Sequence, residues 1–334
     1  MRRNEGNYAI QKKLLTKIFS VVLCLGLLTG CSNGSTQSDN ASGIKMYLTV
    51  STADTFRQTI IDAAKQQAQK IGAELTVQDA QGSLENQLAH IKEAVDNGYD
   101  VILCNPVDTD TALQLQVAAG DLPIAFFNSC PNSERLEAGK YIFVGSNEKE
   151  AGKYQAEYIL NKYSSKNDIN VAIFKGEKTH SATLGRTNAL KHTLNASGKN
   201  IHYVFEDNAD WSTDTAKEYF NLFLKTGQPV DVVACNNDDM ALGIVQSCEE
   251  NHISFDTLPV IGVDATDAGC QSIKDGKMAF TIYQSGSGQG EYLIKAAARL
   301  AQNQSLEGIK YLSDDQKYVW VPFEKVDKTN VDQY

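Results

Sequence analysis

The chain has no apolar run long enough to cross a bilayer. Its most apolar stretch, Ile18 to Leu28, holds eleven residues, where a membrane-spanning helix needs about 20. Positive charge is also in deficit, with 31 Lys and Arg against 41 Asp and Glu and a net charge of -10, which disfavours nucleic acid as a partner. The cysteines lack a C-x-x-C pair and any metal-like spacing. Beyond Cys24 and Cys31 they number five, Cys104, Cys130, Cys235, Cys248 and Cys270, so at least one thiol is free. Most suit small apolar positions at strand ends or on helices. The glycine-rich stretch SGSGQG at 285–290 has neither the G-x-G-x-x-G order nor the lysine of a phosphate loop. Neither a metal nor a cofactor is called for.

The beginning of the chain reads as an address. Arg2, Arg3, Lys12, Lys13 and Lys17 precede the apolar stretch, and Leu28-Thr29-Gly30-Cys31 has the form of a lipobox cut before Cys31. The expectation is a lipoprotein signal peptide over 1–30, a lipid on Cys31, and an extracytoplasmic protein anchored to the membrane at the cell surface or in the periplasm. Ser32 to Ser42 is rich in Ser, Asn and Gly without apolar period, which suits a flexible tether over 31–43. Cleavage removes five basic residues and one acidic, lowering the charge to -14. The remaining 304 residues suffice for two domains of about 150 each.

From there strands and helices alternate. KMYLTV, ELTVQD, DVILCN and PIAFFN are short runs rich in β-branched, aromatic and other apolar residues, separated by helical patterning over Thr55 to Ile71, Leu84 to Asn97 and Thr111 to Ala119. Leu84, Leu88, Ile91 and Val95 recur at helical steps and predict one buried face. A second series, NVAIF, HYVFE, DVVAC, PVIGV and AFTIY, begins near Asn170. The alternation predicts two α/β lobes, each a parallel sheet covered by helices.

Polar residues gather where these strands end. Asp54 and Phe56 follow the first strand, Asn105 the third and Asn128 the fourth; His180 and Arg186, Asn237 and Asp264 follow strands of the second series. Ligands of open α/β sheets bind outside the carboxyl ends of strands. Taken singly, Asp54, Asp238 or Thr266 reads equally well as a helix cap, Phe56 and Trp211 as packing residues, and His180 as a loop residue. Together they form an inventory of acids, amides, a guanidinium and two aromatics with no evident nucleophile and base. That inventory suits a pyranose, whose hydroxyls donate and accept around the edge and whose faces carry apolar C–H patches.

The motifs then carry a resemblance. NNDDMALG at 236–243, GVDAT at 262–266 and DGKMAFTI at 275–282 resemble the ribose- and galactose-binding class of periplasmic binding proteins. KGE with His180 and Arg186, AFFN at 125–128, FVGSNEKEAG at 143–152, DWSTDTAKE at 210–218 and VPFEKVDKTN at 321–330 are similar to its galactose/glucose branch, which includes methyl-galactoside transport proteins. The resemblance covers nearly all of the chain after the leader. It implies a type I periplasmic binding protein fold of two Rossmann-like lobes joined by a three-segment hinge. The first lobe would comprise 44–145 plus 287–318, and the second 146–286 plus 319–334. Phe56 and Trp211 would stack on the sugar faces, while Asp54, Asn128, His180, Arg186, Asn237 and Asp264 bind its hydroxyls. The implied partners are a monosaccharide, an ABC permease and a chemosensory receptor, with the protein itself a monomer.

Three departures qualify the likeness. Ala182 stands where the branch has an acid two residues after the histidine, Ser287 is the expected counterpart of an asparagine, and YSSKNDIN at 163–170 is too short and acid-poor for the branch's calcium loop. The competing reading is an exported sugar-active α/β enzyme that uses Asp54 and Asp264 as its carboxyl pair.

Overall fold

The structure, a computed structural model, describes residues 41–334. The expected signal peptide, Cys31 and most of the expected tether lie outside the described residues. Ala41, inside the expected tether of 31–43, is packed against the first lobe: it is buried, and its amide donates to the Ile71 carbonyl at 2.9 Å.

The first lobe is a βα series. Strands β1 (Lys45–Val50), β2 (Glu74–Asp79), β3 (Val101–Cys104), β4 (Ile124–Phe127) and β5 (Tyr141–Gly145) alternate with helices α1 (Thr55–Ile71), α2 (Leu84–Asp96) and α3 (Ala112–Ala119) up to β4. β1, β3 and β4 are sheathed on both faces, so their side chains are buried almost without alternation.

Helix α2 departs from its expected seam. Ile91 is fully buried, but Val95 is 40% exposed. The helix turns Gln87 inward instead, because its amide donates to the Asn105 carbonyl at 2.9 Å and accepts from the Val107 amide at 2.9 Å.

The second lobe continues with α4 (Glu148–Lys162), β6 (Asp168–Lys175), α5 (Ser181–Asn195), β7 (Asn200–Asn208), α6 (Thr213–Leu224), β8 (Val232–Cys235), α7 (Asp238–Glu250), β9 (Val260–Ile261), α8 (Asp267–Lys274) and β10 (Thr281–Gln284). Helix α9 (Gly286–Ala301) then packs on α1 of the first lobe, β11 (Tyr318–Trp320) joins its sheet, and β12 (Phe323–Val326) returns to the second.

The first sheet is parallel throughout in the order β11-β5-β4-β3-β1-β2. The second has parallel strands in the order β7-β6-β8-β9. Parallel bridges Ile261 to Phe280 and Asp264 to Tyr283 carry it on to β10, which pairs antiparallel with β12. A wholly parallel second sheet therefore gives way at one edge, where the chain's last strand arrives from the opposite end. The expected boundary at 318 falls inside a strand, since β11 pairs with β5 through Trp320.

Together these elements make the type I periplasmic binding protein fold. The glycines at 286 and 290 lie in the first turns of α9. A side chain at either would overlap α1, at Thr59 or the Ile60 carbonyl, so they serve close helix packing.

Candidate functional site

A cleft of about 550 Å³, counting its open mouth, lies at the carboxyl ends of both sheets. Its lining includes Asp54, Phe56 and Arg57 at the start of α1, Asn128 after β4, His180 just before α5, Ala182 and Arg186 on α5, and Trp211 before α6. Asn237 and Asp239 at α7, Asp264 and Thr266 before α8, and Gln284 at the end of β10 complete it. Eight residues expected from the sequence thus line one cavity.

Ser287 does not. It is exposed on α9, with its hydroxyl 3.3 Å from that of the N-cap Ser285. The strand ends three residues earlier, so Gln284 is the side chain delivered to the cleft. Asn105 is also behind the wall: fully buried, it accepts from the Ser51 hydroxyl at 2.6 Å and donates to Asn128 Oδ1 at 3.4 Å.

Four lining residues are helix N-caps. Asp54, His180, Asn237 and Thr266 accept from the amides of Arg57, Ala182, Met240 and Gly269, satisfying donors that a helix start leaves unpaired. Capping and site placement coincide because the helices begin where the strands end.

The His180 cap fixes a tautomer. Nδ1 accepts from the Ala182 amide at 3.1 Å, so Nε2 carries the proton, and it is buried without a partner. Burial, with Arg57 and Arg186 nearby, holds the imidazole well below its ordinary pKa. The ring is a neutral donor. It meets Trp211 edge-on, centroids 5.2 Å apart. The indole lies against Gly176, where any side chain would overlap it, and its Nε1 is another buried donor without a partner.

Arg186 is 3% exposed and organises the second lobe's wall. Nε donates to Glu148 Oε2 at 2.6 Å, Nη1 to the Asn236 carbonyl at 2.6 Å, and Nη2 to Gln284 Oε1 at 3.1 Å. Asp264 Oδ1 lies 3.7 Å from Nη1 and accepts no hydrogen bond. Burial raises Glu148 and lifts Asp264 well above the usual carboxylate range, against the opposing pull of Arg186. One guanidinium serves too many acids for all to ionise freely.

Asp238, fully buried beneath the cleft, is pushed by burial up to about 7 although Thr281 and Thr266 donate to it.

Arg57, in the first lobe, went unread in the sequence. It is 5% exposed, pairs with Asp54 Oδ2 at 3.1 Å and donates to Asn128 Oδ1 at 3.3 Å. The signal for it was its place three residues after a capping aspartate. Strain gathers here as well: Asn128, Trp211 and Asp264 have φ of 60°, 65° and 117°, values that cost non-glycine residues energy and cluster at ligand sites. Two hydrogen bonds cross between lobes beside the cleft, from the Cys130 amide to Ser181 Oγ at 2.8 Å and from Thr109 Oγ1 to the Thr179 carbonyl at 3.3 Å.

A family model described as a periplasmic binding protein domain matches residues 46–305. A Rhizobium meliloti protein provisionally named for rhizopine binding is 28% identical over 266 residues, 79% of this chain and 82% of that protein. The D-galactose/methyl-galactoside binding periplasmic protein MglB of Haemophilus influenzae is 26% identical over 336 residues, covering 96% of this chain and 98% of the relative. Among solved structures, an ABC transporter solute binding protein from Bacillus halodurans with bound myo-inositol is 28% identical, with a TM-score of 0.77 over 88% of this chain and 98% of that one.

Proposed function

The chain belongs to the periplasmic binding protein domain family, and on that premise we propose that it is the extracytoplasmic receptor of an ABC importer for a monosaccharide or a similar ring polyol. It is a binding protein and not an enzyme, and the expected carboxyl pair has other employment: Asp54 caps α1 and pairs with Arg57, while Asp264 faces Arg186.

The observation that carries this reading is the set of polar groups left without partners in the cleft. His180 Nε2, Trp211 Nε1 and Gln284 Nε2 can donate, and Asp264 Oδ1 can accept. A buried polar group without a partner costs about 1–3 kcal/mol, and ring hydroxyls, each both donor and acceptor, satisfy either kind. Phe56 and Trp211 offer apolar surface to the ring faces.

In this reading Asp54, Asn128, His180, Arg186, Asn237 and Asp264 bind hydroxyls, joined by Arg57 and by Gln284 in place of Ser287. The lobes close over the ligand, the closed form docks on a membrane permease, and a lipid on Cys31 keeps the receptor at the membrane.

Galactose or glucose is the first candidate, from the motifs at 143–152 and 210–218 and the likeness to the Haemophilus protein. A cyclitol is the second, favoured by the Bacillus structure with myo-inositol and by Ala182, which leaves out the expected acid. A thermal-shift screen separates them, because a ligand bound only by the folded state raises stability by RT ln(1 + [L]/Kd). The reading predicts a rise with at least one hexose or cyclitol; a folded chain that responds to none contradicts it.

A further inference from the structure

We propose that Thr281, acting with Asp238, is a positioning residue for the cleft: without touching the ligand, it holds the turn 264–266 in the shape that binds. This rests on the reading of the chain as a polyol receptor and adds to it a device that sets affinity from behind the wall.

The turn between β9 and α8 gives the cleft two lining residues, Asp264 and Thr266, whereas Thr281 and Asp238 lie outside the lining and are fully buried. Its backbone is under strain. Asp264 and Ala265 have φ of 117° and 50° in succession, and non-glycine residues keep such values only where their surroundings impose them. Three amides in succession are held. The Asp264 amide donates to the Ile282 carbonyl at 2.8 Å, the Ala265 amide to Thr281 Oγ1 at 3.3 Å, and the Thr266 amide to Asp238 Oδ2 at 2.9 Å. Thr281 in turn donates its hydroxyl proton to Asp238 Oδ1 at 2.6 Å, so the second and third of these bonds end on one carboxyl group.

That group has a seat made for it. A side chain at Gly262 would overlap Asp238 Oδ1, and one at Gly269 would overlap Oδ2, so the chain leaves room on both sides. Asp238 opens α7, where an acid is favoured by the helix dipole, but that role alone needs neither the two glycines nor the threonine. The hydroxyl at 281 accepts from the turn and donates to the carboxyl group at once; a valine of the same shape does neither.

The consequence falls on Asp264. Its Oδ1 stands 3.7 Å from Arg186 Nη1 and accepts no hydrogen bond, and where that oxygen points is set by the backbone of the same turn. A loosened turn lets the carboxyl group close on the guanidinium, and the ligand then loses an acceptor.

The test is calorimetric titration of the full chain with D-galactose, D-glucose and myo-inositol, in wild type, Thr281→Val, Thr281→Ser, and Thr281→Val combined with Ala265→Gly. For a ligand that wild type binds, Thr281→Val should bind about tenfold or more weakly, or some 1.4 kcal/mol, while Thr281→Ser, which keeps the hydroxyl, stays within about threefold. Ala265→Gly should recover part of the loss, because glycine takes a positive φ without strain. A residue that served stability alone would lower the melting temperature of Thr281→Val and leave the affinity of the folded protein unchanged. If Thr281→Val does not fold, Asp238→Asn, which keeps the side chain's shape but puts a donor where an acceptor is needed, takes its place in the same comparison. Wild-type affinity in the variant, or a loss that Thr281→Ser shares or that Ala265→Gly does not reduce, overturns the inference and leaves the receptor reading standing. If none of the three ligands binds to folded wild type, both fall.

Discussion

Arg186 Nη2 donates to Gln284 Oε1 at 3.1 Å, tying the guanidinium at the centre of the second lobe's wall to the last residue of β10, just before the chain crosses to α9. Glu148, where the chain has just entered the second lobe, takes Nε of the same arginine. The arginine therefore touches two of the three crossings between lobes as well as the cleft.

Removing it should cost the fold as well as the ligand. Arg186→Ala leaves Glu148 buried without its cation, and breaking such a pair destabilises by about 3–5 kcal/mol. Chemical denaturation checks this. Arg186→Met combined with Glu148→Gln should recover most of the loss, and no recovery would place the cost elsewhere.

Asp54 should behave differently, because its side chain is 42% exposed and its structural task is a cap. Asp54→Ala should lose about 0.5–2 kcal/mol of stability, and Asp54→Ser, which keeps a capping oxygen, less. Both should weaken ligand binding, by about 2–5 kcal/mol if the carboxylate meets the ligand in a desolvated site. Denaturation and calorimetry on the two variants separate the roles.

How much of this was legible in the sequence depended on where a residue sits relative to a strand end. Asn128, His180, Asn237 and Asp264 follow recognisable apolar runs, so strand position alone pointed to them. The same rule applied to TIYQ leads to Gln284, but the likeness to the branch, with its asparagine just after this strand, led to Ser287 instead. Arg57 was hidden because an arginine in a helix's first turn reads as surface; only the fold turns that turn of α1 toward the cleft. In NNDD the three polar residues after Asn236 diverge, with Asn237 capping, Asp238 buried beneath and Asp239 facing the cavity, and a helix start of that kind cannot be phased from spacing alone. The antiparallel edge formed by β12 is a long-range pairing that local periodicity does not carry.

Acidity should reveal Asp238. Its folded-state pKa of about 7 exceeds the ordinary value near 3.9, so the folded chain holds this proton more tightly than the unfolded one. The associated stability is full below the ordinary range and lost as pH rises through about 7. Asp264 and Glu148 shift in the same direction, whereas His180 acts oppositely, its neutral form losing stability as pH falls through the ordinary histidine range. The measurement is therefore the difference in Tm between wild type and Asp238→Asn from pH 5 to pH 8. Wild type should lose more over that interval, and parallel curves would count against the buried proton.

Gly176 should be intolerant of a side chain. Gly176→Ala must displace the Trp211 indole, since the new methyl overlaps the ring. The expected outcome is an altered near-ultraviolet dichroism spectrum and weakened ligand binding with the far-ultraviolet spectrum retained. An unchanged indole signal would show that the ring is not seated on this glycine.

The central claim, that the cleft between Trp211 and the first lobe is the polyol site, is tested most directly by ligand-dependent fluorescence. Galactose, glucose and myo-inositol are titrated into wild type and into Trp211→Phe, with Trp320 left as the internal reference. The account predicts a saturable change with at least one of the three in wild type, and its disappearance in Trp211→Phe. Calorimetry that detects binding while Trp211 gives no response would contradict the claim.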